Sequence, residues 1–106
     1  MNASPYFKIE VFAPEEVVDV VISALADAHA GEIGLYDHCA AVSEVQSSWH
    51  PLPGANPALG EPGKLYSGVE FKIEVNCREE FLADAIMAVR EVHPYEEPVI
   101  NIYPLA

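Results

Sequence analysis

The chain has 106 residues and carries 17 acidic side chains against 5 lysines and arginines, a formal net charge of -12. That length suits one packed domain, and a hydrophobic content of 51% separates it from disordered polar chains. The charge repels a nucleic-acid backbone and an anionic membrane surface, and no apolar run reaches the roughly 18–20 residues of a membrane helix.

Met1 to Lys8 lacks a basic start followed by an apolar stretch, so no secretory signal is expected. Cys39 and Cys77 form no CxxC pair and read as reduced thiols of a cytoplasmic protein. Phe7, Ile9 and Val11 alternate with Lys8 and Glu10, the period of a half-buried strand. A helix is predicted over about 14–29. Pro14 fits its first position, Glu15 and Glu16 suit its positive end, and Val17, Val21, Leu25 and Ala28 form its apolar stripe. Gly31 and Gly34 break the helix, and Leu35 to Val45 reads as extended. Residues 47–64 read as a loop holding Pro51, Pro53, Pro57, Pro62, Gly54, Gly60 and Gly63. Trp49, Leu52 and Leu59 favour its being ordered and packed on something.

The second half repeats the first. Phe7-Lys8-Ile9-Glu10-Val11 recurs as Phe71-Lys72-Ile73-Glu74-Val75, an offset of 64. The same offset carries Glu15-Glu16 onto Glu79-Glu80, Ile22 onto Ile86, Ala24 onto Ala88 and His29 onto His93, giving 10 identities in 23 ungapped positions. A second strand and a second helix, about 78–92, follow, with Phe81, Ala85, Val89 and Val92 as its stripe. Pro94 and Pro98 end that helix, and Val99 to Tyr103 reads as a last strand at a sheet edge or terminus. One sub-structure used twice predicts an α+β, ferredoxin-like βαββαβ sandwich: four antiparallel strands with two helices on one face. The half-repeats are about 5–46 and 65–106, within one domain over 1–106.

Several strings resemble a known family. His93-Pro94-Tyr95-Glu96-Glu97-Pro98, with Ile102-Tyr103-Pro104-Leu105, resembles the end of the insertion domain in NIF-three-like (NGG-one-interacting-factor-three) proteins, also called GTP cyclohydrolase type 2 homologues. Phe12-Ala13-Pro14-Glu15, Gly31 to Cys39, Asn56-Pro57-Ala58-Leu59-Gly60 and Val69 to Glu74 are similar to further stretches of it, so the likeness covers nearly the whole chain. The resemblance implies a domain of the PII and CutA type that tends to form trimers. In two-domain relatives the dinuclear metal ligands lie outside the insertion, on a flanking α/β domain for which this chain has no residues to spare. The metal site and any hydrolase activity are therefore not carried over. Ser47-Ser48-Trp49-His50-Pro51 also departs from the glycine-rich run the family has there.

Three clusters could carry chemistry. His93 with Tyr95, Glu96 and Glu97 could bind a ligand or a divalent metal, proline on both sides holding the segment rigid. Against this, His93 and its repeat partner His29 both end helices, where an imidazole suits the dipole. Tyr36-Asp37-His38-Cys39, read as a strand, would turn only two of its four potential ligands to one face. The candidate metal set is therefore His38, His93 and Glu97, with a half-buried sheet histidine as the plainer reading of His38. Trp49 and His50 lie on the loop, where aromatics mark recognition or a subunit contact. Gly60-Glu61-Pro62-Gly63-Lys64 is rejected as a phosphate loop, since it lacks the spacing and the hydroxyl residue after lysine. Neither cysteine is read as an activated nucleophile.

The leading expectation is a non-enzymatic homo-oligomer, trimer favoured. It would bind a small ligand, a metal ion or a protein partner at subunit clefts formed by the loop and the His93 to Pro98 segment. The alternative is a divalent-metal-dependent, hydrolase-like enzyme using His38, His50, His93 and Glu97.

Overall fold

The computed structural model describes residues 5–106. Met1 to Ser4, half of the stretch read above for a leader, lie outside the described residues. The strands are β1 (Tyr6–Ala13), β2 (Ala41–Trp49), β3 (Tyr66–Arg78) and β4 (Ile100–Pro104). The helices are α1 (Val18–Asp27) and α2 (Leu82–Val92). One sheet runs in the order β2-β3-β1-β4, and every neighbouring pair is antiparallel. This is the ferredoxin-like arrangement that the repeat predicted.

Alternation decides which side of the sheet is buried. Ile9, Val11, Ala13, Ile73, Val75 and Cys77 share one side and pack with Val21 and Leu25 of α1 and Ala85 and Val89 of α2. Each fully buried aliphatic side chain there contributes roughly 1.5–3 kcal/mol. Both predicted helix stripes lie against this core, with Val17, Ala28, Phe81 and Val92 at its margin. Lys8, Glu10, Phe12, Glu70, Lys72 and Glu74 point to the opposite side, which no helix covers.

The repeat is exact at the centre and fails at the helix ends. Cross-strand pairing sets Glu10 opposite Glu74, its own counterpart at the offset of 64. Each helix is entered through a 3-10 turn, Glu15–Val17 or Glu79–Phe81, so both helices are shorter than 14–29 and 78–92. Pro14 stands just before its turn, in an extended conformation, rather than inside the helix. α1 ends in a Schellman turn: Ala30 N–H bonds to Leu25 O and His29 N–H to Ala26 O, with His29 left-handed at φ 66°. α2 cannot end so, because Pro94 keeps the residue before it out of helical conformations. His93 is accordingly extended, at φ -78° and ψ 132°.

The strand expected over 35–45 is displaced. Residues 31–40 form a turn closed by hydrogen bonds between Ile33 and Tyr36, and β2 starts only at Ala41. Gly31 fixes this path: its φ is 90°, and an added Cβ would lie 3.1 Å from Cys39 O. The loop correspondingly loses Ser47 to Trp49 to β2, and the last strand shifts by one residue, to Ile100–Pro104.

β3 outruns β1. β1 stops at the Ala13–Phe71 pair, while β2 and β3 continue to Trp49–Tyr66 as a two-stranded arm. The described residues span 47 × 29 × 22 Å with a radius of gyration of 14.8 Å, above the roughly 13 Å of a compact chain this long. A lone hairpin is marginal in water. One side of this arm is covered by the segments after β2 and α2, and they form the site.

Candidate functional site

A cleft of about 540 Å³ opens on the uncovered side of the sheet, at the base of the arm. Its floor comes from strand residues Phe12, Ser47, Trp49 and Glu70. Its walls are Pro51, Ala55, Pro57 and Leu59 on one side and Tyr95, Glu96, Glu97 and Val99 on the other. The volume lies in the range of small-molecule sites. Most of the lining is apolar, and neither lysine nor arginine contributes to it.

Aromatic stacking holds the cleft together. Trp49 stacks on Tyr66, its cross-strand partner, with ring centroids 4.5 Å apart and planes 28° off parallel. Tyr95 approaches Trp49 at 5.7 Å, and the His93 ring meets Tyr95 edge-on at 4.7 Å. Trp49 Nε1 donates a 3.0 Å bond to Leu59 O, pinning the loop to the strand. The Asn56 N–H donates to Glu96 Oε1 at 3.1 Å, so the loop also meets the opposite wall.

His93 anchors this end of the sheet. It is 8% exposed and both ring nitrogens are engaged: Nε2 lies 2.7 Å from Phe12 O, and the Tyr95 N–H donates to Nδ1 at 3.1 Å. The backbone donor assigns Nδ1 as acceptor and hence Nε2–H as donor, the neutral tautomer. Neither nitrogen keeps a lone pair for a metal. His29, its counterpart, is exposed, meets the Phe81 ring at a tilt with centroids 4.8 Å apart and bonds Glu32 at 2.9 Å. The sequence reading that paired the two roles is corrected by the two different helix ends.

The remaining metal candidate is also repositioned. His38 lies in the turn before β2 rather than on a strand, exposed, at φ 55°, with Nδ1 2.9 Å from Asp37 Oδ1. Its side chain is no half-buried sheet histidine, and the facing argument for Tyr36 to Cys39 lapses with the strand. Among the described residues, no three His, Cys, Asp or Glu side chains converge as a metal site would need. Of the other residues singled out, the cleft gathers Trp49, His50, Tyr95, Glu96 and Glu97.

Phe12, Tyr66 and Glu70 were not singled out from the sequence as site residues, and Leu59 was read only as packing the loop. Glu70 sits on an alternating strand, in a position that reads as solvent-facing. Yet it is 6% exposed, because Tyr95 and the loop roof the arm beside it. The Tyr95 hydroxyl is buried with no hydrogen-bond partner of good geometry. Burial, and then the adjacent Glu70 carboxylate, push this phenol well above its ordinary pKa.

No protein-family profile matches the chain. It is 41% identical over 101 residues to the GTP cyclohydrolase 1 type 2 homolog of Bacillus subtilis, covering 95% of this chain and 27% of that protein. The protein of the same name from Mycobacterium tuberculosis is 34% identical over 104 residues, again across 27% of its length. A Bacillus cereus protein related to NIF3 superposes with a TM-score of 0.84 at 34% identity, over 99% of this chain and 27% of that one. CutA from Archaeoglobus fulgidus superposes with a TM-score of 0.70 at 22% identity, over 94% and 83% of the two chains. The chain is thus homologous to one segment of the NIF3-related proteins, spanning about a quarter of their length, and it shares the fold of CutA.

Proposed function

We propose that this homologue of the NIF3-related segment is a binding module without chemistry of its own. Its cleft receives a small ligand, and the chain works as a homo-oligomer, a trimer by analogy with the PII and CutA type. One observation carries the reading: the loop after β2 and the segment after α2 close on each other through Trp49, Tyr95 and the Asn56–Glu96 bond, yet leave about 540 Å³ between them. An ordered, mostly apolar space with a few polar groups is the usual form of a ligand site.

The oligomer is supported by what the fold leaves uncovered. β2 and β4 are edge strands, and natural proteins pair or cover such edges. On the side of the sheet away from the cleft, Val69 of the arm and Val42 of edge strand β2 are each 44% accessible. A cyclic assembly would cover both.

Two measurements test the proposal. Sedimentation equilibrium at micromolar concentration is expected to return three chain masses; a strict monomer contradicts the assembly. Trp49 is the sole tryptophan and sits in the cleft floor, so its emission reports on occupancy. Ligand-observed NMR with a fragment library is expected to find binders that also shift Trp49 emission. A library without one such binder contradicts the cleft.

A further inference from the structure

The cleft has an uneven charge pattern. It presents the carboxylates of Glu70, Glu96 and Glu97 and the exposed imidazole of His50, and neither lysine nor arginine. Glu96 and Glu97 are exposed and keep their hydration, but Glu70 is 94% removed from solvent, by the complement of its 6% exposure. No ion pair among the described residues reaches Glu70, although other acids of the same side, such as Glu74, have lysines. A buried carboxylate without a cation costs several kcal/mol unless something compensates it. The buried Tyr95 hydroxyl lies against this carboxylate and interacts with it, but it brings no positive charge. A buried carboxylate faced by a neutral hydroxyl, with no cation among the described residues to pair it, therefore stands at a space floored by Trp49 and Phe12.

We propose that the cleft takes a small organic cation, an ammonium group on an aromatic or aliphatic body. Glu70 supplies the counter-charge, Tyr95 hydroxyl a hydrogen-bond partner, and Trp49 and Phe12 the apolar contact. This rests on the reading of the space as a ligand cleft and adds the chemical class. Anions such as nucleotides or phosphate esters are disfavoured by three carboxylates. A bare divalent ion would need a converging ligand set, which the described residues do not provide. An organic ammonium needs only one close carboxylate and an aromatic face, where cation–π attraction adds to the pairing.

Three compounds of one shape and different charge test this: phenethylamine, 2-phenylethanol and phenylacetate, titrated against Trp49 emission at pH 7. The amine is expected to bind about tenfold tighter than the alcohol, with phenylacetate weakest, as one well-placed buried charge pair allows. Glu70→Gln is expected to bring amine and alcohol to near parity while the alcohol still binds. Glu91→Gln removes the same charge from an exposed position on α2 and is expected to leave the preference intact, which separates a local pair from general attraction to an acidic protein. Equal binding of amine and alcohol by the unaltered chain overturns this inference and leaves the ligand cleft standing. So does a preference that survives Glu70→Gln. No response to any of the three overturns both readings. Should Glu70→Gln fail to fold, equal binding of amine and alcohol by the unaltered chain still overturns the inference.

Discussion

Glu10 and Glu74 face each other across the two central strands, each the counterpart of the other in the repeat. Like charges at directly opposed positions repel, and the sheet offsets them differently. Glu74 Oε1 lies 3.7 Å from Lys8 Nζ and 3.8 Å from Lys72 Nζ. Glu10 Oε1 instead accepts from Asn101 Nδ2 at 3.0 Å and from the Tyr103 hydroxyl at 3.5 Å. The strand duplication thus created a repulsive pair that side chains from both repeats resolve. Replacing Lys8 and Lys72 together by Met is expected to cost about 1 kcal/mol, the upper range for part-exposed pairs. Adding Glu74→Gln should recover most of that loss. Urea denaturation midpoints measure both steps. An unchanged midpoint in the double variant would show the pair to be energetically silent.

His93 and His29 are expected to behave as unlike residues. His93→Ala breaks two hydrogen bonds, leaves Phe12 O and Tyr95 N–H unpaired, and opens a void in a site only 8% exposed. A loss of roughly 2–4 kcal/mol is expected. His29→Gly removes an exposed side chain but supplies the residue best suited to φ 66°. Its effect should stay within about 1 kcal/mol of zero. Chemical denaturation of the two variants checks the contrast, and equal losses would contradict it.

Much of the fold was legible because its periods are local. Phe7, Ile9 and Val11 announce their strand, and the stripe of Val21 and Leu25 its helix, without knowledge of anything distant. The segment between Gly31 and Ala41 was not legible in this way. Leu35 and Tyr36 look like strand residues by type, but the positive φ of Gly31, Gly34 and His38 spends them on a turn. The site was half legible for a similar reason. Trp49, Tyr95 and Glu96 stand out as aromatics and acids in proline-rich loops. Glu70 does not, because its burial comes from Tyr95 and from the loop between β2 and β3 folding over an alternating strand. No local pattern encodes that.

The two cysteines should separate by reactivity and by pH. Cys39 is part-exposed, whereas Cys77 is 2% exposed in the core. Iodoacetamide at pH 8 is expected to modify Cys39 quickly and Cys77 only on unfolding, as intact mass and peptide mapping would show. Burial first, and the charge of Glu32 second, raise the Cys77 thiol from 9.0 to about 11. Below pH 9 the thiol is protonated in both states, and its contribution to stability is full. As pH rises from 9 towards 11 the unfolded chain loses this proton first, which favours unfolding. Stability should fall across that window, and less steeply in Cys77→Ala, which has no thiol to titrate. Identical slopes in the two proteins would contradict the assignment.

Gly54 and Gly60 offer a matched test of how the loop is held. Both lie in the same loop with nearly equal positive φ, 96° and 92°. Alanine at either position therefore pays a similar backbone penalty, on the order of 1 kcal/mol. Only Gly60 sits against the aromatic stack, where an added Cβ would lie 3.2 Å from Tyr66 Cβ and 3.5 Å from Trp49 Nε1, while at Gly54 it would meet nothing within 4 Å. Tyr66 Cβ is fixed to β3 and cannot yield as a flexible side-chain tip could, so the strain falls on the Trp49–Leu59 bond. Gly60→Ala is accordingly expected to red-shift Trp49 emission and to speed proteolysis within 50–64, beyond a stability loss exceeding that of Gly54→Ala. Gly54→Ala should lose stability with the emission unchanged. Matching spectra and cleavage rates would mean that the loop does not depend on the stack.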